Sequence, residues 1–126
     1  MNGFSSSRDF QIWDYYISLS QLLLRSVPDE GKGEQENIDI IFKGVFYLDI
    51  PATLSGIEID TPTGDELTRL QSRAGTQQDA AAAYYKYFVL VSKGRRFYIG
   101  AFGMSIETNT LGMLETSLGV TYQVAE

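Results

Sequence analysis

The stretch of sequence that decides the fold is Ile38-Asp39-Ile40-Ile41-Phe42-Lys43-Gly44-Val45-Phe46-Tyr47-Leu48-Asp49-Ile50. Every even position in it is Ile, Phe, Leu or Gly, while the odd positions include Asp39 and Asp49. This period of two is typical of a β-strand. At about 3.3 Å per residue the segment would extend about 43 Å, which is long for one strand. We therefore expect a bend or bulge at Gly44 and an end to the strand at Pro51.

Alternating or apolar-rich segments on both sides of this stretch predict further strands. Residues 10–26 fit either a helical stripe or two strands at about 10–19 and 21–27, and their β-branched and aromatic residues favour the strands. A turn at Lys93-Gly94 is expected to join two strands of a hairpin. The other predicted strands are 54–59, 84–92, 95–107 and 117–124. Across the hairpin we expect Leu90 to face Phe97, Phe88 to face Ile99 and Val89 to face Tyr98.

One helix is predicted after these first strands. Thr63-Gly64-Asp65-Glu66 has the pattern of a capping box, which favours a short α-helix at about 64–74. Six to eight strands with one short helix predict a mainly β fold, an antiparallel barrel or sandwich. We expect residues 1–126 to form a single domain, in which 1–8 are a flexible tail and 28–37 a mobile loop.

The composition narrows the chemistry that these 126 residues can perform. They contain neither His nor Cys. Imidazole bases, thiolate nucleophiles and zinc sites built from these side chains are therefore excluded. An enzyme based on carboxylates remains open, although the sequence singles out no catalytic residue, cofactor or metal site. No segment resembles a membrane span or a signal peptide, so we expect a cytoplasmic protein that does not bind membranes.

Charge is distributed unevenly along the chain. The net charge is −6; residues 28–66 hold ten acidic residues against two lysines, whereas residues 67–98 hold six basic residues against one aspartate. An acidic protein without a dense basic stripe is not expected to bind nucleic acid. The acidic region is instead expected to attract a basic protein. We predict that Glu34, Glu36 and Asp39 contact this partner.

The segment Ser18-Leu19-Ser20-Gln21-Leu22-Leu23-Leu24-Arg25-Ser26 carries a resemblance to known sequences. It follows Trp13 and Tyr15-Tyr16 and precedes the Ile- and Asp-rich strand at 37–45. Over residues 13–45 the chain resembles small uncharacterised bacterial proteins that have a similar aromatic–Ser–Leu-Leu-Leu-Arg-Ser block. This resemblance implies a bacterial source and no particular activity. From the residues themselves we expect Leu22, Leu23 and Leu24 in the core, with Arg25 as a structural hydrogen-bond donor.

These observations favour a non-catalytic β-rich protein that acts by binding another protein. In size, acidity and lack of catalytic motifs the chain is similar to toxin-neutralising immunity proteins, a comparison that rests on analogy alone. Self-association through exposed strand edges would give the same sequence pattern. The alternative function is that of a small-ligand-binding β-barrel or a carboxylate-based enzyme, either of which would need a pocket with convergent polar groups.

Overall fold

A computed structural model describes residues 3–76 and 84–118, which form eight β-strands and one α-helix. The helix, α1, spans Gly64–Ala74. The strands, in chain order, are β1 (Ser5–Tyr16), β2 (Gln21–Ser26), β3 (Asn37–Lys43), β4 (Tyr47–Asp49), β5 (Thr53–Asp60), β6 (Lys86–Ser92), β7 (Arg95–Ala101) and β8 (Gly103–Asn109). The predicted class, a mainly β antiparallel fold of six to eight strands with one helix at about 64–74, is confirmed.

The strands form one sheet in the order β4-β7-β6-β5-β1-β2-β3-β8, and all neighbours run antiparallel. Only residues 44–46 separate β3 from β4, and only Phe102 separates β7 from β8. β3 pairs with β8, while β4 pairs with β7. The end strands β4 and β8 do not pair with each other, so the sheet is not closed into a barrel.

The kink between β3 and β4 lies at Gly44, as the sequence predicts. Gly44 has a φ of +67°, which a residue with a Cβ rarely adopts. A Cβ at this position would also lie 3.1 Å from the side chain of Phe102, the residue between β7 and β8. The two kinks therefore pack against each other, and a glycine is needed for the contact.

One face of the sheet holds the main hydrophobic core. Apolar side chains that are buried or nearly so converge there from six strands, and they are Phe10, Leu22, Leu24, Ile40, Phe42, Leu54, Ile57, Ile59, Leu90, Ile99 and Ala101. Because successive side chains of a strand point to opposite faces, the even residues of β2 and β3 face this core. The predicted burial of Leu22, Leu23 and Leu24 is confirmed.

The opposite face of β2 and β3 is also covered, which the alternation did not predict. Leu23 and Ile41 on this outer face pack against Leu118 and Trp13. Asp39 lies on the same face and is fully buried. The alternation in 38–50 predicts that Asp39 faces solvent, and this prediction is wrong. A distant chain segment, which the local pattern does not reveal, packs over this face.

The first 37 residues differ from expectation at their start. The two predicted strands in residues 10–26 are confirmed as β1 and β2, which are joined by a 3-10 turn at Ile17–Leu19. Residues 5–8, expected in a flexible tail, belong to β1, where Ser5 and Ser6 pair with β5. The tail prediction is wrong there because β5 provides hydrogen-bonding partners. The loop at 28–37 contains a 3-10 turn at Glu30–Lys32, and its mobility stays a prediction.

The helix and the hairpin follow the sequence closely. The Thr63 hydroxyl accepts a hydrogen bond from the Glu66 amide at 3.1 Å, and the Glu66 carboxylate accepts one from the Thr63 amide at 2.9 Å. The three predicted cross-strand pairs of the hairpin are present, with Lys93 and Gly94 both at positive φ in the turn. The predicted strand at 117–124 lies outside the described residues beyond position 118. No helix in the described ranges is long and apolar enough to cross a membrane.

Candidate partner-binding surface

A buried ion pair lies beneath the outer face of β2 and β3. Arg25 and Asp39 are opposite each other in the ladder between these strands, and both side chains are fully buried. The Arg25 guanidinium donates two hydrogen bonds to the Asp39 carboxylate, at 2.7 and 2.9 Å. This two-pronged geometry is the strong form of an arginine–carboxylate contact. The structural donor role predicted for Arg25 is confirmed.

Asp39 is held ionised by its surroundings. Burial alone would raise the pKa of its carboxyl, but hydrogen bonds from Arg25, Asn109 and Ser117 outweigh burial and lower the pKa below its usual value. The last two bonds are 2.8 Å each. Since no part of this carboxylate reaches the surface, the prediction that Asp39 contacts a partner is corrected. Asp39 is a structural residue.

The remaining hydrogen bonds of Arg25 reach the segment after β8. Its Nη1 donates to the backbone carbonyl of Glu115 at 2.8 Å and to that of Gly112 at 3.3 Å. Asn37 donates to the carbonyl of Leu111 at 2.8 Å. Residues 111–117 are therefore held on the sheet at several points by side chains from β2 and β3.

Between the two carbonyls bound by Arg25 lies a tight turn, Gly112–Glu115, which we call the apolar turn. The Glu115 amide donates to the Gly112 carbonyl at 3.0 Å, and the Glu115 carboxylate accepts from the Gly112 amide at 2.6 Å. The two central residues are Met113, which is 78% exposed, and Leu114, which is 97% exposed. Large apolar side chains are thus presented to solvent by a backbone fixed at both ends.

The apolar turn borders a groove of about 330 Å³ on the outer face. Met113, Trp13, Val27 and Pro28 line this groove. The Arg25 guanidinium lies over the Trp13 ring, 5.3 Å from the ring centroid. Val27 is itself more than half exposed. The groove and the turn form one continuous apolar patch, a feature associated with protein interaction sites.

The acidic loop, residues 28–36, begins where the groove ends. It carries four carboxylates against Lys32. Glu34 is partly buried, since its carboxylate accepts a bond from the Asp29 amide at 2.8 Å and lies 3.4 Å from Arg8. Glu36 is exposed, and its backbone carbonyl accepts a bond from Arg8 at 2.9 Å. The structure thus brings Glu34 and Glu36 together at Arg8, apart from Asp39, and of the acidic loop only Pro28 lines the groove.

A second cluster of charged side chains ties α1 to the sheet. Arg96 donates to the two carboxylate oxygens of Glu66 at 2.7 and 2.8 Å, and the Tyr98 hydroxyl donates to the same carboxylate at 2.6 Å. The Arg96 hydrogen bonds hold the pKa of Glu66 well below its usual value of 4.5 despite burial, with help from Tyr98 and the Thr63 amide. A carboxylate so engaged is a weak base, and we interpret the cluster as structural.

Because the folded pKa of Glu66 is depressed, its stabilising contribution is complete above about pH 4.5 and is lost as the pH falls towards its folded pKa. We expect Glu66→Gln to lower the free energy of unfolding by about 2 kcal/mol at pH 6, because the substitution removes charge-assisted hydrogen bonds. The difference from wild type should shrink between pH 4.5 and pH 2.5. Urea denaturation at a series of pH values measures this, and a difference that stays constant with pH would contradict the assignment.

No group of three or more acidic side chains within residues 3–76 and 84–118 converges as a metal site. Asp60 lies 3.5 Å from Arg96 and accepts a bond from the Thr61 amide. Asp60 and Glu66 therefore both contact Arg96 on β7.

Comparison with known proteins adds no further constraint, since no protein-family model, curated protein or solved structure matches this chain. The surface must be interpreted from its own chemistry. Sequence reasoning missed Met113 and Leu114. A signal was present, because two adjacent large apolar residues follow Gly112 in a segment without strand or helix periodicity. The sequence did predict Arg25 as a structural donor, but not that its acceptors are the carbonyls of Gly112 and Glu115 on either side of these two residues.

Proposed function

We propose that this domain acts without catalysis by binding a protein whose surface has an apolar cleft bordered by basic residues. One observation carries the proposal: Met113 is largely exposed and Leu114 almost fully exposed on a turn whose backbone is fixed by Arg25 of the buried pair. Exposure of leucine and methionine side chains to water is unfavourable, and burial of each against a partner contributes about 1.5–3 kcal/mol to binding. A fixed backbone also reduces the entropy lost on binding.

Charge supports the basic border of the proposed partner. The acidic loop continues from Pro28, which lines the groove, and its four carboxylates follow within eight residues. Interfaces commonly have this arrangement of an apolar core and a polar rim. Rim charges mainly accelerate association and select the partner, while the apolar centre provides most of the affinity. The two features assign different roles to the loop and to the turn.

Charge reversal in the acidic loop tests the role of the rim. We expect Glu34→Lys/Glu36→Lys to slow association with the captured partner about tenfold at low ionic strength, with little change in dissociation. The difference should nearly vanish at about 0.5 M salt, where charges on the surface are screened. Surface plasmon resonance across a salt series measures both rates.

The control for this experiment changes the same kind of residue elsewhere. Glu36→Lys alone is compared with Glu58→Lys, since both glutamates are exposed and give the same change of net charge. Glu58 lies on β5, outside the loop and the groove. If the two variants slow association equally, net charge alone accounts for the effect, and the role of the acidic loop as the polar rim is overturned.

The proposed setting is the cytoplasm, as expected from the sequence, and fractionation of source cells tests it. Self-association is a distinct arrangement in which the apolar turn contacts a second copy. Sedimentation at increasing protein concentration distinguishes it, because a homodimer forms without any other protein.

A further inference from the structure

A second cavity lies at the opposite side of the sheet, in the gap where β8 departs from β6. β6 and β7 pair as far as Lys86 and Ala101. The chain then bends at Phe102, and β8 pairs with β3 instead. The gap between β8 and the ends of β5 and β6 is a cavity of about 750 Å³, which we call the seam pocket.

The seam pocket is continuous with the hydrophobic core. Ile106 is paired with Ile40 in the ladder between β3 and β8, and Met104 is paired with Phe42. Side chains of directly paired residues point to the same face of a sheet. Ile40 and Phe42 are fully buried, yet Ile106 is 37% exposed. The core side of the sheet is therefore open to solvent at this point.

The walls of the seam pocket are apolar and its volume suits a small molecule. Phe4, Ile59, Phe88, Met104 and Ile106 supply most of the wall. Pockets for small ligands commonly measure about 300–1,000 Å³ and are lined mainly by apolar side chains with few polar groups. An apolar body of that size would cover the exposed part of Ile106 and complete the core.

One cation at the rim defines the polar end of the ligand. Lys86 is the first residue of β6 and shares the inward face with Phe88, two residues further on. Within the described ranges no carboxylate forms an ion pair with Lys86. The carboxylate of Asp60, which also lines the pocket, lies 3.5 Å from Arg96 and accepts a hydrogen bond from the Thr61 amide. The rim therefore places the ammonium group of Lys86 beside an apolar cavity.

We propose that the seam pocket binds a small amphipathic carboxylate, with an apolar chain against Phe88, Met104 and Ile106 and its anionic head at Lys86. Medium-chain fatty acids represent this chemical class. The site is separate from the apolar turn and does not depend on the proposed function. A ligand would bind by replacing water against the apolar wall and by pairing with Lys86.

Calorimetric titration with decanoate and with the uncharged decanol tests the proposal. We expect saturable one-to-one binding of decanoate to the wild-type chain. Ile106→Trp, which fills the pocket, should weaken binding of both probes at least tenfold. Lys86→Ala should weaken decanoate binding about fivefold to tenfold and leave decanol unchanged. Lys93→Ala, at the exposed hairpin turn, is the matched control and should alter neither.

A second substitution at Ile106 keeps the test informative if Ile106→Trp fails to fold. Ile106→Glu should repel decanoate, and circular dichroism of both variants verifies the fold. Absence of decanoate binding to the wild-type chain, or decanoate binding by both folded Ile106 variants as tight as by wild type, would overturn the pocket. An equal loss of both probes in Lys86→Ala would overturn the head-group assignment. A dimer dissociated by Ile106→Trp, without decanoate binding, would assign the pocket to a second copy and also overturn the proposal.

Discussion

Asp39→Ala is expected to lower the free energy of unfolding by about 3–5 kcal/mol at neutral pH, because it leaves the Arg25 guanidinium buried and unpaired. Two further donors, Asn109 and Ser117, would lose their acceptor as well. A domain of this size has about 5–15 kcal/mol of stability in total, so the loss is a large fraction of it. Urea denaturation followed by circular dichroism measures the effect.

The control for Asp39 is Glu58→Ala on β5, an exposed carboxylate whose removal should change stability by about 0.5 kcal/mol or less. A loss below about 1 kcal/mol for Asp39→Ala would contradict the description of the pair as buried and mutually dependent. Hydrogen exchange provides an independent measure. The amides of residues 111–118 should exchange faster in Asp39→Ala, since their attachment to the sheet depends on this pair.

A double variant separates stability from the positioning of the turn. Arg25→Met/Asp39→Leu removes both charges, and such replacements of a buried pair are often neutral or stabilising. The same change removes the donors that bind the carbonyls of Gly112 and Glu115. This variant should therefore fold while the apolar turn loses its anchor. It provides a folded protein in which the consequence of a free turn can be examined.

The local features of this fold could be predicted because neighbouring residues determine them. The capping box from Thr63 to Glu66 defines the helix start, and Lys93-Gly94 defines the hairpin and its three cross-strand pairs. Gly44 marks the kink because few other residues adopt its backbone angle. In each case the information lies within a few residues of the feature.

The site could not be predicted to the same degree because it is assembled from distant segments. Asp39 lies in a strand whose alternation suggests a polar outer face, but residues 111–118 cover that face from more than 70 positions away. Burial of a charge depends on that long-range contact, which periodicity does not contain. Glu34 and Glu36 were placed correctly in an acidic loop, whereas Met113 and Leu114 became significant only when the structure showed their exposure.

The double variant Met113→Ser/Leu114→Ser is expected to weaken partner binding about a hundredfold or more while leaving stability unchanged. Apolar anchors at the centre of an interface contribute about 2 kcal/mol or more each, and two of them correspond to at least this factor. Stability should be unaffected, because both side chains are exposed and make little contact with the core. The matched control is Ile17→Ser, since Ile17 is equally exposed at 78% but lies in the β1–β2 connection.

The most direct test of the central claim is quantitative capture from a lysate of the source cells, with wild type, Met113→Ser/Leu114→Ser, Arg25→Met/Asp39→Leu and Ile17→Ser as parallel baits. We predict that wild type and Ile17→Ser capture one stoichiometric partner. Capture should be almost abolished by the serine pair and clearly reduced by the folded variant with the unanchored turn. Equal recovery of that partner by all four baits would contradict the claim that the apolar turn, fixed by Arg25 and Asp39, forms the binding site.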